Sequence, residues 1–340
     1  SPHVLYRFTM LRPHVLSLVL SSLFFVFAVQ GSFWGVFFTS FAVAFLHLGL
    51  FWAPILIFGI VAVAKFFSEK IINWRSTSAL ILGLLSGWIL RPNPLGALKI
   101  SYVQIIDLMF VKQADVPLNF GMELFPMPFR DLSNFWPFVV LWLLASFVFV
   151  RAILKKTPVI STHVRLFLWA SLILSIMFFL IALFVAQRSF DFWVMFGVLF
   201  IAFVFSFIFN ANNIHKYTCI AILAALAVYS LNSYTRNIEK FGWDAGRFKP
   251  VSEWIQKDSR PGEIVFNVAW EYFPELFFWN TKNRYVSGMD PIFQYIYDPA
   301  LYWKAYYLET GKTTSFTCAA TFCEEKDFED TYYVLKNNFD

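Results

Sequence analysis

Between residues 14 and 231 no apolar run contains a charged side chain, and the breaks between runs carry charges or the turn formers Asn and Gly. A water-soluble core has no use for this much continuous apolar surface. The stretch Leu166–Ala186 alone is 21 apolar or small residues, long enough to cross a hydrocarbon layer of about 30 Å as a helix. In lipid every backbone N–H and C=O must pair within the chain, so the runs are expected to be helices. The fold class that follows is an α-helical polytopic membrane protein.

Eight apolar runs can be counted, at about 15–29, 33–47, 50–64, 77–90, 135–150, 166–186, 192–209 and 217–231. The second and third are nearly continuous. Together they are too long for one crossing at 1.5 Å per residue, so a break is expected near Gly49, with Pro54 just after it. Several runs are short enough to be tilted or re-entrant rather than simple spans.

Charge divides the chain into two parts. Residues 1–231 hold 15 Lys/Arg against 6 Asp/Glu, and residues 232–340 hold 12 against 16. The basic excess of the first part reads as a signal for topology and for membrane lipid phosphates. It forms no basic face or known module of the kind that grips nucleic acid. Segment 65–76 carries Lys65, Lys70 and Arg75 against Glu69, and segment 151–165 carries Arg151, Lys155, Lys156 and Arg165 with no acid. Both are expected in the cytoplasm. The alternation then puts loop 91–134, the turn 187–191 and everything after 232 on the extracytoplasmic side of a cell (inner or plasma) membrane.

Residues 1–231 are therefore expected to form a transmembrane helical domain. Within loop 91–134, Leu95, Leu98, Tyr102, Ile105, Ile106 and Met109 recur at helical spacing, with Lys99, Gln104, Asp107 and Lys112 largely opposite. That pattern suits a helix lying on the membrane surface. Residues 232–340 read as a small extracytoplasmic α/β domain, with helices near 251–257 and 300–308. Strand-like segments lie at 263–268 and 284–287, and Arg260-Pro261-Gly262 forms a turn. Asp290-Pro291 and Asp298-Pro299 read as turn starters.

Of three cysteines, Cys219 lies in the last run, where a packed thiol is the plain reading. Cys318 and Cys323 are five apart in the tail, and an outer location favours a disulfide over free thiols. A zinc site would need two more ligands, and no His follows Cys318. No cofactor is identified, and a divalent metal requirement is left open.

The runs hold no Asp, Glu, Lys or Arg, which argues against an ion-coupled pathway at the midplane. Ionisable residues gather instead at the expected outer ends: Arg12, His14, His47, Arg91, Arg188 and Asp191. Taken singly they read as interfacial anchors. Taken together they suit a lipid-linked phosphate, because guanidinium forks match phosphate oxygens. Arg188 and Asp191 share a tight turn and could instead pair with each other. Trp270, Glu271 and Tyr272 follow a strand and could stack on and bind a sugar, or could simply pack the domain.

The spacing Arg188, Asp191, Phe192 at the start of a span resembles the Arg-x-x-(Glu/Asp)-(Tyr/Phe) pattern of bacterial membrane glycosyltransferases of the GT-C superfamily. Val251-Ser-Glu-Trp-Ile255, Pro261-Gly-Glu-Ile-Val265 and Trp270-Glu-Tyr-Phe-Pro274 are similar to the helix, strand and aromatic–acid turn that open the outer domain of such enzymes. Asn283-Arg-Tyr-Val-Ser-Gly-Met-Asp-Pro291 extends the match, and Arg12-Pro13-His14 and Leu46-His47 resemble their outer-face helix ends. The resemblance implies transfer of a sugar from a polyprenyl-phosphate donor to an acceptor glycan, lipid or protein at the extracytoplasmic face. It also implies an acidic base in an outer loop close to the N-terminus. The chain opens at Ser1 almost directly into an apolar run, so that loop is expected to lie in a preceding segment. The competing class is a non-enzymatic component of lipid or polysaccharide export.

Overall fold

The computed structural model describes residues 13–70, 73–111, 116–118, 121–154, 162–211, 246–310 and 316–339, with isolated positions between 217 and 236. The chain divides into two compact units, one of residues 1–110 and 123–241, the other of 111–122 and 242–340.

The first unit is helical. Its helices are α1 (Pro13–Gln30), α2 (Phe33–Leu46), α3 (Trp52–Glu69), α4 (Trp74–Ile89), α5 (Pro94–Tyr102), α6 (Trp136–Leu154), α7 (Thr162–Phe184) and α8 (Phe190–Ala211). Among the described residues, four segments are long and apolar enough to cross a membrane: Leu48–Phe66, Phe129–Leu154, Thr162–Phe184 and Gln187–Ser206. This is the architecture of a helical membrane protein. Of the eight runs, expected to include tilted or re-entrant members, these four have the length of a full crossing, and others are short. Helix α2 has 14 residues and α4 has 16, so they reach only about 21 and 24 Å. Much of the eighth run, with Cys219, and also Lys155 and Lys156 lie outside the described residues.

The near-continuous second and third runs break where the length argument puts the break. Helix α2 ends at His47, whose backbone (φ −142°, ψ 76°) is not helical, and a short 3₁₀ turn over Leu48–Leu50 leads into α3. Helices α1 and α2 are joined by Gly31, in the left-handed region at φ +74°. Ser32 then caps α2 by accepting a hydrogen bond from the Gly35 N–H at 3.3 Å.

Helices α2 and α4 form the most extensive contact of the unit, and small residues make it possible. A Cβ added at Gly87 would lie 2.5 Å from the Phe41 carbonyl oxygen; one at Gly83 would overlap Ser40 Oγ and lie 2.5 Å from the Phe37 carbonyl oxygen. Gly83 and Gly87 are four apart, one face of a helix, which lets two backbones approach without a side chain between them. Elsewhere α7 and α8 pack closely on an aromatic core. Phe178 stacks on Phe192 (centroids 4.7 Å) and Phe196 (5.7 Å), and Trp193 is buried among Phe138, Trp142 and Phe179. Trp142 Nε1 donates to Ser175 Oγ across α6 and α7 at 3.0 Å.

Loop 91–134 contains the expected helix. Asn93 caps α5 and Pro94 occupies its first turn. The helix continues as a π-helical segment over Val103–Val111. Leu95, Leu98 and Tyr102 stay exposed, whereas Ser101, Val103 and Leu108 are buried. Residues 111–122 of this loop belong to the second unit rather than to the helices that flank them.

The second unit holds α9 (Lys249–Asp258), β1 (Ile264–Val265), α10 (Phe273–Trp279), β2 (Arg284–Tyr285), α11 (Pro291–Tyr297), α12 (Pro299–Thr310), β3 (Phe316–Thr317), β4 (Glu329–Asp330) and α13 (Thr331–Asn338). Strands β1 and β2 pair in parallel, Ile264 opposite Arg284, and β3 and β4 pair antiparallel. Among the described residues the sheet content is four strands of two residues each. Gly262, at φ +85°, makes the turn before β1. Asp298 Oδ1 accepts from the Leu301 N–H at 3.0 Å and so caps α12. Cys318 and Cys323 are joined by a disulfide, with Cα atoms 6.0 Å apart. Ala305, Val334 and Phe339 form a small core between α12 and α13.

Candidate functional site

The ends of the helices in the first unit have different chemistry. At one end Lys65 Nζ donates to the Ala28 carbonyl at 3.0 Å, beside the α1–α2 turn, and Asn73 caps α4. At the other end the ionisable residues singled out in the sequence come together.

His47, in the break after α2, shares a 2.7 Å hydrogen bond between its Nδ1 and Ser17 Oγ of α1. Its pKa is lowered to about 4, first by burial and then by the positive fields of Arg188, His14 and Arg91. At neutral pH it is therefore an uncharged imidazole that hydrogen-bonds rather than a cation. Arg91 Nη1 donates to the Ala44 carbonyl at 3.1 Å and the Phe45 carbonyl at 2.5 Å. It satisfies carbonyls left over at the end of α2, where the helix dipole favours a cation. Gln104 of the π-helical segment also reaches this end, with its Oε1 2.5 Å from where a Gly49 Cβ would stand.

Asp191 is buried in the first turn of α8, a favourable place for an acid at the positive end of the helix dipole. Its Oδ2 lies 3.8 Å from Nε2 of His14, which is also buried. Arg188 sits on the 3₁₀ turn Gln187–Ser189 between α7 and α8. No Arg188–Asp191 ion pair forms. Asp191 is turned inward toward α1, and Arg188 makes no side-chain hydrogen bond or ion pair among the described residues. The turn itself is held fast. The Gln187 N–H donates to the Phe125 carbonyl at 2.8 Å, and the Met127 N–H donates to the Ala182 carbonyl at 2.9 Å. These two bonds clasp residues 125–127 to the end of α7 and set the position of Arg188.

Five of the six candidates at this end, His14, His47, Arg91, Arg188 and Asp191, thus share one locality, and Arg12 lies outside the described residues. Among the described residues its fixed positive charge comes from Arg91 and Arg188, and of these two only Arg188 makes no side-chain hydrogen bond or ion pair among them. Ser17 and Gln104 join it: Ser17 is unmarked within an apolar run, and the sequence marks Gln104 only as part of the polar face of a surface helix.

In the second unit Trp270, Glu271 and Tyr272 form a 3₁₀ turn leading into α10. Tyr272 packs on Phe248 (5.0 Å between centroids), and the Arg247 guanidinium lies 5.5 Å from its ring centre. Glu271 is exposed. Tyr272 is half-buried, with Phe248 and Arg247 as its ring neighbours. Among the described residues no three His, Cys, Asp or Glu side chains converge in a way that could hold a metal ion.

No family model matches this chain, and neither a curated protein nor a solved structure is similar to it.

Proposed function

We propose that this protein is a membrane glycosyltransferase of GT-C type that moves a sugar from a polyprenyl-phosphate donor to an acceptor at the extracytoplasmic face. One observation carries the reading: an uncommitted guanidinium, Arg188, held on a clasped turn beside a neutral, hydrogen-bonding imidazole at the end of long apolar helices. A lipid-linked phosphate needs this combination. Its hydrocarbon tail partitions into the bilayer, and its charged head meets a planar donor fork at the interface. As the glycosyl bond breaks, negative charge grows on the departing phosphate, and a fixed cation there lowers the barrier. The disulfide in the second unit suits an oxidising, extracytoplasmic compartment. In this reading the protein is multi-pass in the cell membrane, with its C-terminal α/β part outside.

The test is donor affinity in purified, lipid-reconstituted protein. Arg188→Ala removes a charge-assisted contact of about 1.5–3 kcal/mol, so affinity for a polyprenyl-phosphate sugar falls about ten- to hundredfold. Arg188→Lys recovers part of the loss, since a single ammonium cannot reproduce the fork. Undiminished affinity in a well-folded Arg188→Ala protein refutes the phosphate role. Donor binding without sugar transfer to any acceptor favours an export component instead.

A further inference from the structure

The second unit contains a pocket of about 300 Å³ whose wall includes Arg284, Tyr285, Gln294, Tyr297, Tyr302 and Asn338. None of the roles discussed above uses it. The volume lies at the small end of ligand sites, so it suits one ring with its substituents rather than an extended chain.

The polar groups on its wall are unevenly satisfied. Tyr285 Oη donates to the carbonyls of Asn280 (2.9 Å) and Leu276 (3.2 Å), and Tyr302 Oη donates to the Pro117 carbonyl at 3.1 Å. Both phenols are thereby tied down, and they offer the pocket their rings. Gln294 Nε2 donates to the Val286 carbonyl at 3.1 Å, and Asn338 Nδ2 donates to the Val334 carbonyl at 2.8 Å. Each carboxamide is so oriented that its oxygen is left as an acceptor with no partner among the described residues. The Arg284 side chain is exposed and makes no hydrogen bond or ion pair among the described residues. Tyr297 is 87% exposed at the rim and touches no other ring among them.

We propose that this pocket binds an anionic monosaccharide, a pyranose bearing a carboxylate or a phosphate. Each feature of such a ligand has a counterpart. The C–H faces of the ring meet tyrosine rings, hydroxyl groups donate to the two carboxamide oxygens, and the anion takes the guanidinium fork. A flat aromatic acid would satisfy the rings and Arg284 but has no hydroxyl hydrogens for Gln294 and Asn338. A neutral sugar would leave Arg284 unused. The assignment stands independently of the donor site at Arg188.

The experiment is a saturation-transfer NMR titration of the whole chain in nanodiscs with D-glucuronate, glucose 6-phosphate, D-glucose and phenylacetate. Glucuronate, glucose 6-phosphate or both should bind at least about tenfold more tightly than glucose, the advantage expected of one charge-assisted contact. Which of the two binds identifies the anion. Arg284→Gln should erase that advantage, Arg284→Lys should restore part of it, and Tyr297→Ala should weaken charged and neutral sugars alike. The Arg284 side chain has no partner to lose among the described residues, so these variants should keep the wild-type unfolding midpoint. Three outcomes overturn the proposal: no saturable binding of either anionic sugar, equal affinity in wild type and Arg284→Gln, or tighter binding of phenylacetate than of both anionic sugars.

Discussion

Replacing Gly87 with Ala tests whether close backbone approach is what joins α2 to α4. The new methyl carbon would sit 2.5 Å from the Phe41 carbonyl oxygen and 3.0 Å from Ala44 Cβ. Restoring ordinary contact near 3.4 Å requires the helices to part by about 0.9 Å, a gap that forfeits about a quarter to a half of the dispersion attraction of each atom pair along the seam. Overpacking of this kind costs about 1–3 kcal/mol, while exchanging Gly for Ala within a helix returns about 1 kcal/mol. Gly59→Ala in α3 isolates the second effect, because nothing lies within 4 Å of a Cβ there. Gly87→Ala is therefore expected to end about 1–3 kcal/mol less stable than Gly59→Ala. The assay is reversible unfolding in mixed micelles of a mild detergent and dodecyl sulfate, followed by circular dichroism. If Gly87→Ala proves as stable as Gly59→Ala, the seam is not limited by backbone contact and this account of the α2–α4 pair is wrong.

Burial pushes the Glu309 carboxyl up from 4.5 to about 7. The native second unit therefore holds this proton more tightly than the unfolded chain does, and it loses stability as pH rises from about 4.5 through about 7. Glu309→Gln should flatten that dependence and raise the thermal midpoint at about pH 8; an unchanged pH profile refutes the burial argument. Cys318 and Cys323 close a loop of only five positions, so reduction should cost about 2 kcal/mol, and both thiols should resist maleimide until reductant is added. Rapid labelling beforehand would show that the bond is absent. A reporter inserted at the exposed turn Pro261–Gly262 should read as extracytoplasmic and one following Arg151 as cytoplasmic, and the opposite pair of readings reverses the orientation.

Helix positions were largely legible from the chain, because uninterrupted apolar runs ending in Gly31-Ser32, Lys70 or Asn93 state both the helix and its stop. The break at His47 was legible for a different reason: one rod of that length cannot fit the bilayer. Partner choice was not legible. Gly83, Gly87 and Ser40 decide the tightest helix pair, yet hydropathy reads them as weak members of apolar runs. The cluster around His47 was foreseen as a shared end, but its internal wiring was not. Asp191 faces His14 across α1 rather than Arg188 three positions away, and Arg91 serves the end of α2. Such choices depend on side-chain direction in three dimensions. The pocket in the second unit escaped altogether. It draws on residues from 264 to 339, and its polar members look like ordinary tyrosines, amides and an arginine, each in its own stretch of sequence.

The chain crosses between its two units three times, after residues 110, 122 and 241. A conventional C-terminal domain is tethered once and can be cut away and produced alone. Here a piece comprising only 242–340 would lack Pro117, the acceptor for Tyr302 Oη. Its partner lacking 242–340 would carry 111–122 as a loop stripped of its support. Neither half is then expected to behave as an independent building block. Shuffling the tail between proteins at a single junction should therefore fail, and a working chimera would have to exchange 111–122 together with it.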